Sequence, residues 1–455
     1  MLFRSATAAV SGTNINLGAG SDTLVLGNFV NTLTISNVET LTGSNSADLV
    51  TYATQISGST IDLGGGNDVL TLGNFANTLT VQNIETVIGN SGADLVTLGT
   101  ALTGRIDLGA GSDVLTLGDF NNTITVNNVE SILGGTGNDV ITIGAAQTAG
   151  AINLGDGSDT LNFGTFNTTL TVMNVETING GSGSEFITLG TQITGGTINL
   201  GAGADRLTLG NFVNTLTVSN IESVMGGATN DTVTLGSSIT GGSINLGFGN
   251  DTLVLGNFNN TVTVSNVETL TGNSGNDLIT LGSDYNGALD LGAGTDRLTL
   301  SNGSNNVTVQ NIESVIGGSG ADTITIGTTA GVVINAGAGA DIIYSGQGAD
   351  TFTLGAGNDT IIYTNTNQSA TGARDTITDF NAVNADQLYF NGLLTGTFSF
   401  VGAGALTGGG NSSASFNNTT KLLTVDTNGD GAADMFINLT GVQLTNLDSS
   451  DFIWT

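Results

Sequence analysis

The sequence predicts an all-β fold, a right-handed parallel β-helix or β-roll solenoid closed by a small β-rich C-terminal cap. Three observations carry this expectation. A Gly-x-Gly-x-Asp turn recurs at 18–22, 64–68, 109–113, 155–159, 201–205, 247–251 and 292–296, and successive copies lie 45 or 46 residues apart. Between the turns run short stretches of alternating apolar and polar residues, rich in Val, Ile and Thr and bounded by Gly and Asn, which read as strands. No stretch of the first 360 residues has the spacing of an amphipathic helix, and Pro is absent. A fixed long period of this kind marks a solenoid, in which each unit packs only on its neighbours.

One unit runs from Leu17 to Asp62. Gly18-Ala19-Gly20-Ser21 forms the turn, and Asp22-Thr23-Leu24-Val25-Leu26-Gly27 alternates as a strand. Asn28-Phe29-Val30-Asn31 breaks it, and Thr32-Leu33-Thr34-Ile35-Ser36 alternates again. Asn37-Val38-Glu39-Thr40-Leu41 leads to a second Gly/Asp turn ending at Asp48. Asp48-Leu49-Val50-Thr51-Tyr52 is a further strand, and Ser59-Thr60-Ile61-Asp62-Leu63 returns to the next unit. The second turns end at Asp48, Asp94, Asp139, Glu185, Asp231, Asp277 and Asp322.

Two coil geometries fit this spacing. Each turn can open a new coil, giving a β-helix with long and short coils in alternation. Alternatively, the longer stretch holds three half-coils, and successive turns swap edges of a flatter β-roll. The missing Gly in Ser36-Asn37-Val38-Glu39 favours the first. Asn37, Asn83, Asn128, Asn174, Asn220, Asn266 and Asn311, each before Val or Ile and then Glu, are expected at corners, because Asn tolerates left-handed backbone angles. Phe29, Phe75, Phe120, Phe166, Phe212 and Phe258 are expected to fill the core.

From about Val332 the period shortens to nine. Gly337-Ala338-Gly339-Ala340-Asp341, Gly346-Gln347-Gly348-Ala349-Asp350 and Gly355-Ala356-Gly357-Asn358-Asp359 follow without interruption. The repeats stop after Thr364. The expected organisation is long-period solenoid over 1–331, tandem nonapeptides over 332–364, and a β-rich capping or secretion region over 365–455. The abrupt start of the repeats is expected of a chain cut from something longer.

Composition narrows the chemistry. Asp and Glu number 38 against 6 Lys and Arg, for a formal net charge of −32, so nucleic acid and anionic membrane surfaces are poor partners and cations are favoured. His and Cys are absent, which removes imidazole bases, thiol nucleophiles and the usual zinc ligands. No enzymatic activity is expected. A polysaccharide-cleaving solenoid would need a basic groove, and only Arg105, Arg206 and Arg297 lie within the repeats. Ice binding is disfavoured because the pairs Thr32/Thr34 and Thr78/Thr80 recur only once per unit.

The turn itself suits a hard cation. Glycine lets the backbone turn tightly with carbonyl oxygens inward, and Asp adds a carboxylate where the strand begins. Stacked coils would bring such oxygens together, and oxygen-only, flexible coordination selects calcium over magnesium. The units resemble the RTX, or haemolysin-type, calcium-binding nonapeptide Gly-Gly-x-Gly-x-Asp-x-U-x. Close copies are Gly317-Gly318-Ser319-Gly320-Ala321-Asp322 and Gly134-Gly135-Thr136-Gly137-Asn138-Asp139.

That resemblance implies calcium between turns of neighbouring coils. The candidate ligands are Gly337, Gly339, Asp341, Gly346, Gly348, Asp350, Gly355, Gly357 and Asp359. Gly318, Gly320, Asp322, Asp296, Asp277, Asp251 and Asp139 join them. Asp341 and Asp359 should share one edge. Asp350 should face the other, where Gln368 stands 18 residues on and would leave that site incomplete. The long-period turns depart from the pattern, as at Gly43-Ser44-Asn45-Ser46-Ala47-Asp48, and are equally readable as metal-free strand caps.

Arg374-Asp375-Thr376-Ile377-Thr378-Asp379-Phe380, Asp386-Gln387-Leu388-Tyr389-Phe390 and the ending 447–455 resemble the serralysin-type C-terminus, which implies type I secretion. Asp426-Thr427-Asn428-Gly429-Asp430-Gly431 imitates an EF-hand loop, but Ile437 replaces the terminal Glu, so a β-hairpin turn is expected. The expected role is a calcium-binding structural repeat protein outside the cell or on a bacterial surface, of S-layer or adhesin-stalk type, with self-assembly or surface attachment. The alternative is the calcium-binding and secretion region of a larger secreted enzyme or toxin.

Overall fold

The computed structural model describes residues 3–381 and 385–454, with side chains from Ala6 onward. Met1, Leu2 and Thr455, the last residue of the ending 447–455, lie outside the described residues. The chain forms two compact units, Met1–Ala228 and Thr229–Thr455.

In the first unit the chain alternates strictly between two parallel sheets. The first sheet takes Thr23–Val25, Thr40–Ser44, Ser57–Gly64 and Thr78–Gln82 in succession. The second takes Asn31–Ser36, Asp48–Tyr52, Val69–Thr71 and Thr86–Ile88. One long-period unit therefore carries five strands, an odd number. Each new unit begins on the opposite sheet from the last. The architecture is a β-roll, and the single-coil reading favoured from the sequence is corrected. The missed signal lies in Asn37, which sits at φ 54° and makes the turn without glycine. Its counterparts from Asn83 to Asn311 hold the same left-handed corner at 50–52°, as expected.

Alternation decides what the sheets bury. Leu24, Leu41, Ile61 and Val81 stand in direct register on the inner face of the first sheet and are at most 2% exposed. Leu33 and Val50 do the same on the second. Each such side chain contributes roughly 1.5–3 kcal/mol of burial. Outward, Thr23, Thr40, Thr60, Thr80, Thr97 and Thr116 align across consecutive strands. The rank continues with Leu133, Asn153 and Met173.

The phenylalanines do not fill the core. Phe29 and Phe75 are 42% exposed and Phe166 is 43% exposed, with the other three half-buried. Each ring instead covers a turn glycine two residues earlier; a Cβ at Gly256 would lie 3.0 Å from the Phe258 ring. The interior is already filled by stacked Leu, Ile and Val, and the ring falls where the chain leaves the sheet.

In the second unit the same two-sheet winding continues through Ile342–Tyr344, Thr351–Thr353 and Thr360–Tyr363. A short 3-10 turn at Thr366–Ser369 interrupts it, after which Thr376–Ile377 and Gln387–Phe390 rejoin the two sheets in parallel. An antiparallel meander, Ser413–Asn417, Leu422–Asp426 and Met435–Leu439, follows. The 426–434 loop joins its last two strands, as the hairpin reading expected. Aromatic contacts pack this end: Tyr363 stacks on Phe390 at 5.7 Å, and Phe398 meets Phe452 at 5.4 Å.

Candidate metal-binding turns

The residue at the entrance of each strand, its first residue or the one just before it, builds the site. On one edge of the first unit, the Asn31 N–H donates to Asp48 Oδ1 (3.1 Å), the Asp48 N–H to Asp68 Oδ1 (2.7 Å), and the Asp68 N–H to Glu85 Oε2 (2.8 Å). On the other edge the order repeats as Asn77 to Asp94 (2.9 Å), Asp94 to Asp113 (2.7 Å) and Asp113 to Glu130 (2.8 Å). Carboxylates thus form ladders along the roll, each accepting an amide from the coil before. Every second turn stacks directly on the first turn of the next unit. Glu39 of the first Asn-Val-Glu corner likewise accepts the Asp22 N–H at 2.8 Å, so that the corner Glu closes these long-period ladders. Sequence reading recorded the Glu but gave it no role.

One oxygen of each carboxyl is used this way, and the other is left bare. At Asp48, Asp68, Asp94, Asp113, Asp139, Asp159, Asp205, Asp251, Asp277 and Asp296 the Oδ2 atom is buried without a hydrogen-bond partner. The same holds at Asp341, Asp350 and Asp359. Burial pushes Asp68, Asp113, Asp159, Asp251, Asp296, Asp341, Asp350 and Asp359 up to about 6. Burial, and then the facing Asp205 carboxylate, push Glu185 to about 7. A bare buried oxygen of this kind costs free energy until a proton or a cation satisfies it.

Backbone carbonyls crowd the same turns. The Ala356 N–H donates to Gly337 O at 2.9 Å and the Gly339 N–H to Ala356 O at 2.8 Å, so stacked turns lie in contact. A Cβ on Gly357 would collide with the Gly339 carbonyl oxygen, and one on Gly339 with that of Gly320. These glycines are required because the neighbouring turn's carbonyl occupies that space. Among the described residues no three acidic side chains converge. A cation must therefore rest on carbonyls plus about one carboxylate per turn, and this oxygen-only set fits calcium.

Asp341 and Asp359 do share an edge: the Asp341 N–H donates to Asp359 Oδ1 at 2.8 Å. That ladder runs from Asn305 through Asp322, Asp341 and Asp359 to Asp386. Asp139 donates to Asp159, Asp251 to Glu268, Asp277 to Asp296, and Asp296 to Glu313. Gly318 and Gly320 stack on Gly337 and Gly339, and Gly337 stacks in turn on Gly355. Gly346 and Gly348 lie in the turn before Asp350, on the other edge, whose ladder runs from the Val332 N–H to Asp350 Oδ1 at 2.8 Å.

The expectation for Gln368 is corrected. The position after Asp350 is held by Asp375, which accepts the Asp350 N–H at 3.0 Å. The 3-10 turn adds residues to this coil, and Gln368 instead accepts the Thr364 and Asn365 amides. Asp375 and Asp386, both from the C-terminal motif, thus end the two ladders. Burial pushes Asp375 up to about 7.

Fold and ladders define a class: a parallel β-roll whose turns hold hard cations. The RTX calcium-binding nonapeptide repeat family matches residues 59–79, 105–125, 126–142, 243–262 and 265–284, and the peptidase M10 serralysin C-terminal family matches 295–454. The chain is an RTX-repeat calcium-binding protein with a serralysin-type C-terminal region. The nonapeptide matches fall on long-period turns, while the three tandem copies lie inside the serralysin-type match. No curated protein matches the chain.

Proposed function

We propose that this chain is a structural repeat protein of the bacterial exterior, of S-layer or adhesin-stalk type, exported by a type I system and set into its fold by calcium outside the cell. The observation that carries it is the ladder of half-satisfied carboxylates repeated along the chain. A chain of net charge −32 repels itself, and calcium would both neutralise and cross-link its coils. No catalytic role is assigned. Self-assembly or attachment to the cell surface is part of this reading.

The serralysin-type match over 295–454 favours a second reading, the calcium-binding and secretion region of a larger secreted enzyme. Mapping the reading frame around the chain separates the two, because a catalytic domain beside it selects the second. Expression with and without a type I exporter tests what they share. Recovery in the medium only with the exporter is expected, and retention in the cytosol despite it contradicts export.

A further inference from the structure

Charge is unevenly placed over the first unit. Apart from Asp62 and Asp107, its described carboxylates sit in turns and at strand entrances. On the outward face of the second sheet, Asp107 is neutralised by Arg105 at 3.0 Å. On the first sheet, the outward strand residues from Thr23 to Met225 are uncharged with two exceptions, Asp62 and Arg206. Among the described residues neither of these makes an ion pair. Asp62 Oδ1 accepts the Gly64 N–H at 3.1 Å and the Asn83 Nδ2 at 2.8 Å, and an Arg206 guanidinium nitrogen meets the Met225 sulfur.

The two charges are placed symmetrically. Asp62 lies in Ser57–Gly64 and Arg206 in Arg206–Thr208, the first and last of nine consecutive strands of this sheet. Ser131–Gly135 is the fifth. Register carries Leu133 through Thr116, Thr97 and Thr80 to Thr60, two residues before Asp62. In the other direction it carries Ser131 through Ala151, Thr171 and Thr188 to Thr208, two residues after Arg206. Ile132, between Ser131 and Leu133, is therefore the midpoint both along the sheet and across it.

We propose that this outward face is the contact between two copies of the chain, packed face to face about a two-fold axis at Ile132 that sets each Asp62 opposite the other copy's Arg206. It names the surface for the self-assembly in the proposed function and rests on that reading. A two-fold contact pairs residue i with j and j with i, which is what opposite charges equidistant from one point allow. Leu133, 41% exposed, would meet its own copy on the axis, with Leu95 (41%) and Phe186 (45%) farther out on the same face. A chain of net charge −32 approaches its copy at least cost where carboxylates are absent. Nine strands about 4.8 Å apart span roughly 38 Å, and a contact of that length buries about 1,000 Å² over both copies, the low end for a specific interface. The dimer is therefore a weak one that depends on concentration.

Sedimentation velocity of the full chain in millimolar calcium, over a series of protein concentrations, tests this, with circular dichroism to monitor folding. Wild type is expected to pass from monomer to dimer as concentration rises. Arg206→Asp and Asp62→Arg should each weaken the dimer at least about tenfold, because the two-fold axis repeats each like-charge clash. Combining them exchanges the charges and should restore the dimer. Asp62→Asn keeps the Oδ1 acceptor and should weaken it less, which covers a poorly folding Asp62→Arg. Leu133→Asp, on the axis, should abolish it. A dimer unchanged in Leu133→Asp, or an exchanged chain no better than the single variants, overturns this face and leaves self-assembly standing. A wild type that stays monomeric throughout overturns the proposal and the self-assembly reading together.

Discussion

The backbone N–H of Asp48 donates to the carboxylate of Asp68 at 2.7 Å, across 20 residues of chain. It fixes the stacking of two turns and uses one oxygen of Asp68, leaving the other buried without a hydrogen-bond partner. On the proposed reading, a structural and a metal-binding role are divided between two oxygens of one side chain.

Asp113→Asn separates those roles. The Asn oxygen still accepts the Asp94 N–H, now 2.7 Å from Asp113 Oδ1, while its amide nitrogen can donate where Oδ2 was bare. In chelator the variant should be equal to or more stable than wild type by about 1 kcal/mol. In calcium it should be the less stable of the two and bind less calcium. Thermal melts in both conditions check the crossing.

Glu130 has only the structural half. It accepts the Asp113 N–H at 2.8 Å. Glu130→Gln keeps an acceptor and should be nearly silent. Glu130→Ala strands that amide and should cost about 1–3 kcal/mol in urea unfolding. Calorimetry should find the calcium stoichiometry unchanged in both.

The pH dependence follows from the raised ladder carboxyls. Asp68, Asp113 and Asp159 sit at about 6 in the folded chain against 3.8 for the ordinary group. Such a group adds stability that is full below 3.8 and lost as pH rises through 6. In chelator, therefore, the chain should melt higher at pH 4.5 than at pH 7.5. In calcium the trend should weaken or reverse, because protons compete for the same oxygens. Melts in the two conditions across this window check the sign.

Phe75 and Leu79 test where the core lies. Phe75 is 42% exposed and Leu79 only 2%. Phe75→Ser should cost under about 1 kcal/mol, and Leu79→Ala about 2–5 kcal/mol. Equal losses by denaturant unfolding would return the phenylalanines to the core.

Strand positions, the left-handed Asn corners and the Asp341–Asp359 edge were legible because each follows from a local rule: alternation, φ tolerance, or a nine-residue period. The half-coil winding was not. It depends on Asn37-Val38-Glu39 being a turn in its own right, with Asn37 supplying the angle and Glu39 the carboxylate that glycine and aspartate supply elsewhere. Gln368 misled for a related reason: counting 18 residues assumes a constant coil, and the 3-10 turn at Thr366–Ser369 lengthens this one until Asp375 takes the place. The phenylalanines misled because hydrophobicity alone does not say on which side of a turn a ring falls.

The central claim is that calcium completes the carboxylate ladders and so sets the fold. Far-UV circular dichroism with thermal melting at pH 7.5, in chelator and in millimolar calcium, tests it most directly. A large calcium-dependent gain in β signal and melting temperature is predicted. Identical spectra and melts in the two conditions would contradict it.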